Sequence, residues 1–136
     1  MSVVLIVEDE VAVRVVAEKI LKQAGHEILS AGSVTDALAI IHSMQRFDLL
    51  FTDMKLGDEA QGGIRVSEGI SESRPGLPVL YTSGGVVTDD TRSKFVEPRI
   101  FLPKPYSRAQ LVQAVLDLTR AVNQTLSVSS LAADKS

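Results

Sequence analysis

Hydrophobic residues along this chain fall into short unbroken runs separated by amphipathic stretches. Val3-Val4-Leu5-Ile6-Val7, Asp48-Leu49-Leu50-Phe51-Thr52 and Pro78-Val79-Leu80-Tyr81-Thr82 are apolar nearly throughout. That is the pattern of strands buried on both faces of a sheet. His26 to Ala31 and Arg99 to Leu102 predict two more strands. Between the runs the period becomes helical. Val13, Val16, Ile20 and Leu21 recur at helix spacing in a segment that starts at Asp9 and stops near Gly25. Ala37, Leu38, Ile40 and Ile41 do the same after Ser33, a good N-cap residue. Ile64 to Ser73 predicts a third helix, closed by Pro75-Gly76. Thr88 to Phe95 predicts only a short one, because its apolar pattern is poor. Ser107 caps a last helix bearing Leu111, Val115, Leu118 and Val122.

Five strands and five helices therefore alternate strictly. Such alternation predicts an α/β domain in three layers, a parallel sheet with right-handed crossovers and helices on both sides. The chain has 136 residues, enough for one domain with a real core, and residues 1–122 are assigned to it. Residues 123–136 are small and polar, with only Leu126, Val128 and Leu131 to bury, and are expected to form a flexible tail.

Composition narrows the function classes. The apolar share of 45% is ordinary for a globular protein. No apolar run approaches the roughly 20 residues of a membrane span. The first strand begins at Val3, which leaves no room for a signal peptide. Cysteine is absent, so disulfide and thiol chemistry are excluded, and a reducing, cytoplasmic setting is expected. A net charge of -3 offers no general attraction to nucleic acid or to an anionic membrane.

In open α/β sheets ligands sit beyond the C-terminal ends of the strands. At that edge this chain places Glu8-Asp9-Glu10, Asp53, Ser83-Gly84 and Lys104-Pro105. Each group alone has a plainer use. The acidic run suits a helix start, Asp53 and Ser83-Gly84-Gly85 suit turns, and a lysine is usually solvated. Together they are complementary. Mg²⁺ prefers oxygen ligands and usually takes one or two carboxylates plus phosphate. A carboxylate can act as a nucleophile and form an aspartyl phosphate. Lys104 can supply a point charge to phosphoryl oxygens, and the Ser83 hydroxyl can donate a hydrogen bond to one of them.

The motifs Val7-Glu8-Asp9-Glu10, Asp48-Leu49-Leu50-Phe51-Thr52-Asp53, Pro78-Val79-Leu80-Tyr81-Thr82-Ser83-Gly84 and Phe101-Leu102-Pro103-Lys104-Pro105-Tyr106 resemble, in order and spacing, the response regulator receiver domain of two-component signalling. The resemblance runs from Val3 to Val122. It implies a flavodoxin-like, doubly wound (βα)5 sandwich with strand order 2-1-3-4-5. It implies Asp53 as phosphoacceptor, with Mg²⁺ held by Glu8, Asp9, Asp53 and the backbone carbonyl of Lys55. It further implies Ser83 as switch hydroxyl, Phe101 as switch aromatic and Lys104 as phosphate contact, with the Lys104–Pro105 bond cis. The implied phosphodonor is a histidine kinase or a histidine phosphotransfer protein. The implied output is binding to a further, unidentified protein by a monomer or weak dimer. The only chemistry implied is the domain's own phosphorylation and dephosphorylation.

Because the chain stops soon after its last helix, it is expected to be a stand-alone receiver, acting as a binding switch or as a phosphate sink in a relay. Three departures from the family pattern stand out. Gly57 occupies a position where the family usually has Pro, and Asp58 to Gly63 makes a longer loop than usual, so the loop from Met54 to Gly63 is expected to be more mobile. Thr88 to Glu97 predicts a short or irregular fourth helix. A Mg²⁺-dependent phosphohydrolase with an aspartate nucleophile is the alternative, but it wants a second Asp two residues on, where this chain has Lys55. A receiver that ignores metal ranks last, since all the key side chains are present. His26 and His42 lack metal-ligand spacing and are read as structural, and Tyr81 and Tyr106 as packing or rim residues.

Overall fold

The computed structural model describes residues 2–135, with side chains through residue 122. The three apolar runs become β1 (Val3–Val7), β3 (Leu49–Asp53) and β4 (Val79–Ser83). β2 (Glu27–Ala31) and β5 (Arg99–Pro103) are less apolar and carry exposed positions. The reason is their place: the sheet runs β2-β1-β3-β4-β5, all parallel, so these two lie at its edges. The observed order is the one implied by the resemblance.

Alternate side chains feed two cores, as the strand period requires. On one face Leu5, Val7, Leu50, Val79 and Tyr81 pack against α2 (Val34–Ile41) and α3 (Gly62–Ser73). On the other, Val4, Ile6, Leu49, Phe51 and Leu80 pack against α1 (Val11–Gln23) and α5 (Arg108–Lys135). The remaining helix, α4 (Asp89–Arg92), is a single capped turn, as the weak pattern there predicted. The backbone of α5 runs to Lys135. The side chains of 123–136, the stretch expected to be a tail, lie outside the described residues.

Helix starts follow local chemistry. The Ser33 hydroxyl accepts from the Asp36 N–H at 3.1 Å, and the Ser107 hydroxyl from the Gln110 N–H at 3.1 Å. α1 differs from the prediction. It begins at Val11 after Glu10, which makes no side-chain cap, so Asp9 is left outside the helix and free for the strand edge. The far end of α2 is closed from another element. The Arg74 guanidinium donates to the carbonyls of Ile41, Ser43 and Gln45 at 3.0, 3.1 and 2.7 Å and lies 4.1 Å from the centre of the Phe47 ring.

The loop after β3, expected to be mobile, is tied at several points. Leu56 and Glu59 exchange backbone hydrogen bonds of 3.0 and 3.1 Å, and the Gly63 N–H reaches back to the Met54 carbonyl at 2.9 Å. Gly57 takes a φ of +61°, a conformation that costs glycine little. Its N–H donates to Asp9 Oδ2 at 3.1 Å. Proline could supply neither that φ nor that proton, which is a physical account of the departure at this position.

Candidate functional site

The strand register sets the tips level. Val7 pairs with Thr52, and Asp53 with Thr82, so Glu8 follows β1 directly beside Asp53. Asp9 comes from the turn into α1, and Lys104 follows β5. One carboxylate oxygen from each of Glu8, Asp9 and Asp53 lies within 4.8 Å of the other two. Lys104 Nζ sits among them, donating to Asp53 Oδ2 at 2.8 Å and to Glu8 Oε1 at 2.9 Å. Glu8 and Asp53 are buried, and Asp9 is exposed at the mouth.

Three carboxylates face one ammonium here, and the charges respond. Burial alone would lower the Lys104 pKa, but its hydrogen bonds to Asp53 and Glu8 outweigh that and drive it upward. Burial raises the Glu8 carboxyl, against the Lys104 hydrogen bond and with help from the Asp53 charge. At Asp9 slight burial is outweighed by hydrogen bonding from Gly57 and Glu8, and the carboxyl falls below its ordinary range. A cluster of hard oxygen donors carrying more negative than positive charge fits a small divalent cation such as Mg²⁺. Asp9 is suited to reach it, because its side chain is exposed at the rim, where the Gly57 N–H donates to it at 3.1 Å.

The other expected site residues fall around this centre. The Ser83 oxygen accepts from the Gly85 N–H at 3.1 Å, so in this state the side chain turns to its own loop. Lys55 is exposed two residues past Asp53, so its backbone carbonyl is the part that could serve the site. Phe101 is half-buried, 6.2 Å from the Phe95 ring, with the Arg92 guanidinium 5.2 Å above it. Phe95 in turn stacks on Tyr81 at 4.0 Å. The Lys104–Pro105 bond is cis, as expected. Tyr106 forms the rim, edge-on to Phe51 at 6.0 Å. His26 accepts from the Ser2 N–H at 3.1 Å, a structural use.

Two contributors were not foreseen. The Gly57 N–H lies 48 residues from Asp9 in sequence, and no local pattern announces such a bond. Arg14 Nη1 donates to the Glu8 carbonyl at 2.8 Å, holding the β1–α1 turn. Its place early in α1, within reach of that turn, was the available signal.

A doubly wound sheet with an acidic cluster and a lysine at its C-terminal edge defines a class of small signalling domains. The profile of the response regulator receiver domain matches residues 4–116, and the chain belongs to that family. It is 30% identical over 135 residues to the DNA-binding transcriptional regulator NtrC of Azospirillum brasilense, covering 98% of this chain and 27% of that protein. It is 33% identical over 96 residues to the sensor histidine kinase AruS of Pseudomonas aeruginosa, covering 68% of this chain and 9% of the kinase. The chain thus spans about a quarter or less of these two curated relatives. Among solved structures, a response regulator receiver protein from Sinorhizobium medicae superposes with a TM-score of 0.80 at 28% identity, covering 88% of this chain and 95% of that one. NtrX from Brucella abortus gives 0.84 at 26% identity, covering 96% and 29%. Among the described residues no helix is long and apolar enough to cross a membrane.

Proposed function

We propose that this receiver takes a phosphoryl group onto Asp53 from the histidine of a kinase or phosphotransfer protein, in the cytoplasm, and thereby changes the surface it offers a further protein. The observation that carries the reading is the Lys104 ammonium held at 2.8 and 2.9 Å between Asp53 and Glu8, with Asp9 in reach. An Asp53 oxygen attacks phosphorus, the bond from phosphorus to the donor imidazole breaks, and the imidazole keeps the electron pair. Lys104 offsets charge on the phosphoryl oxygens, as it offsets the two carboxylates now. Glu8, Asp9, Asp53 and the Lys55 carbonyl would hold Mg²⁺, which supplies positive charge against carboxylate repulsion and phosphoryl charge.

The switch follows from the same charges. The aspartyl phosphate carries about two negative charges where the carboxylate carried one. Ser83 keeps its own proton while accepting from Gly85, and can turn that proton toward a phosphoryl oxygen. Movement of the end of β4 then loosens the packing of Phe101 against Phe95 and Arg92, and the α4–β5 surface changes.

An exposed apolar face beside the site supports a helical protein donor. Val11 is 62% and Val16 56% exposed on α1. Val16, Ala12 and Tyr106 line a groove of about 630 Å³ that ends at Lys104.

The direct test is incubation with Mg²⁺ and a small phosphodonor, followed by intact mass. A single phosphoryl adduct is expected, removed by Asp53→Asn and by chelation of the metal. Full labelling of Asp53→Asn, or no adduct on the unaltered protein, would overturn the proposal.

A further inference from the structure

Thr82 has no role in the chemistry above, yet it stands in the row that carries it. It pairs with Asp53 across β3 and β4, and paired residues of parallel strands share a face. Glu8, Asp53 and Thr82 thus form a polar row just above Ile6, Phe51 and Leu80, which belong to one apolar core. Thr82 is 2% exposed, and its hydroxyl oxygen has no hydrogen-bond partner among the described residues. Buried hydroxyls are nearly always paired, because leaving one unpaired forfeits its hydration. Valine would fill the same volume without that penalty, so shape alone does not account for threonine here.

The hydroxyl borders a space. A cavity of about 10 Å³ is lined by Thr82, Asp53 and Glu8, together with Phe51, Val13 and Tyr106. That is room for about one water molecule, and a buried water needs two or more polar partners. Thr82, Asp53 and Glu8 bring polar groups to its lining.

We propose that Thr82 is a positioning residue for Asp53: its hydroxyl holds one buried water, which donates a hydrogen bond to the Asp53 carboxylate. Held between Thr82 and Asp53, the water positions the carboxylate and is not the water consumed in hydrolysis. Its chemical effect rests on the reading of Asp53 as phosphoacceptor. When the aspartyl phosphate hydrolyses, a solvent water forms the new oxygen–phosphorus bond and gives its proton to the released phosphate. The bond between Asp53 and phosphorus breaks, and its electron pair returns to the carboxylate. A fixed donor to that carboxylate stabilises the returning charge and shortens the life of the adduct.

Three proteins test this: the unaltered chain, Thr82→Val and Thr82→Ser. A high-resolution crystal structure of the unaltered chain should show one water within hydrogen-bond distance of Thr82 Oγ1 and an Asp53 oxygen. Thr82→Val should lose it and Thr82→Ser should keep it. The carbon-13 resonance of the Asp53 carboxylate at neutral pH should move in Thr82→Val and return in Thr82→Ser. The adduct should live roughly two- to tenfold longer in Thr82→Val, the worth of one hydrogen bond, with Thr82→Ser near the unaltered rate. A dry cavity in the unaltered chain overturns the proposal, whether or not Thr82→Val folds. Equal lifetimes in the three, or a serine variant that behaves like valine, also overturn it. If no adduct forms on any of them, the phosphoacceptor reading fails, and the water and the carboxylate resonance still decide the role of Thr82.

Discussion

At Glu8 burial pushes the carboxyl up, the Lys104 hydrogen bond pulls it down, and the Asp53 charge adds to the rise. The net pKa lies above the ordinary 4.5, so the folded protein binds this proton more readily than the unfolded chain. The stabilising contribution of that proton is present below pH 4.5 and is lost as pH rises through the folded value. At neutral pH ionised Glu8 therefore works against folding, while Lys104 still has Asp53 to pair with. Glu8→Gln should melt a few degrees higher than the unaltered protein at pH 7 in the presence of chelator. The gap should close as pH falls toward 4.5. Excess Mg²⁺ should narrow it from the other side, because a cation that binds only the folded site stabilises the unaltered protein. Thermal unfolding followed by circular dichroism, with chelator and with Mg²⁺, measures both. A lower melting temperature for Glu8→Gln at pH 7 would mean that Glu8 is mainly a structural partner of Lys104.

Among the elements, the start of α3 lies close against the backbone of Asp53. A Cβ at Gly63 would stand 2.4 Å from the Asp53 carbonyl oxygen and 3.0 Å from Met54 Cα. Both are backbone atoms and cannot swing aside. Gly63→Ala should force the start of α3 away from the tip of β3 and destabilise the fold by about 1–3 kcal/mol, the range of overpacking. It should also slow phosphorylation from a small donor, because Asp53 moves with the strand end. Urea unfolding and intact mass read the two effects, and an unaltered midpoint would show that the helix start yields freely. The elements themselves were legible in the sequence because their signals are periodic and local. Fully buried strands read as unbroken apolar runs, and Ser33 and Ser107 announced their helices. Glu8-Asp9-Glu10 misled at the start of α1, since any of the three suits a helix N-terminus and only the fold decides where winding begins. Asp53 and Lys104 were legible as candidate site residues by their place at strand ends, and the fold brings them to within 2.8 Å of each other. The bond from Gly57 to Asp9 was not, because its partners meet only after β1 and β3 pair. Thr82 was hidden for a different reason: in a strand, threonine looks like any other β-branched filler.

Over the whole molecule, the acidic edge and the apolar face of α1 adjoin, and on the proposed function a protein donor would be gripped by one and react at the other. This separates two properties that a small donor merges. Val16→Asp should leave phosphorylation by a small donor nearly unchanged and slow transfer from the cognate histidine protein at least tenfold, a loss of about 1.4 kcal/mol in binding. Parallel time courses with the two donors check it, and equal slowing in both would place Val16 in the chemistry instead. One last consequence comes from the turn after β3. Asp9 Oδ2 is held by Gly57, and four residues on, Gln61 Nε2 reaches Thr91 Oγ1 in α4 at 3.3 Å. The segment is a tether with the proposed cation ligand Asp9 at one end and the surface of α4 at the other. Thermodynamic reciprocity then applies. If drawing Asp9 inward slackens the tether and eases α4 toward an output partner, that partner tightens the grip on the cation by the same factor.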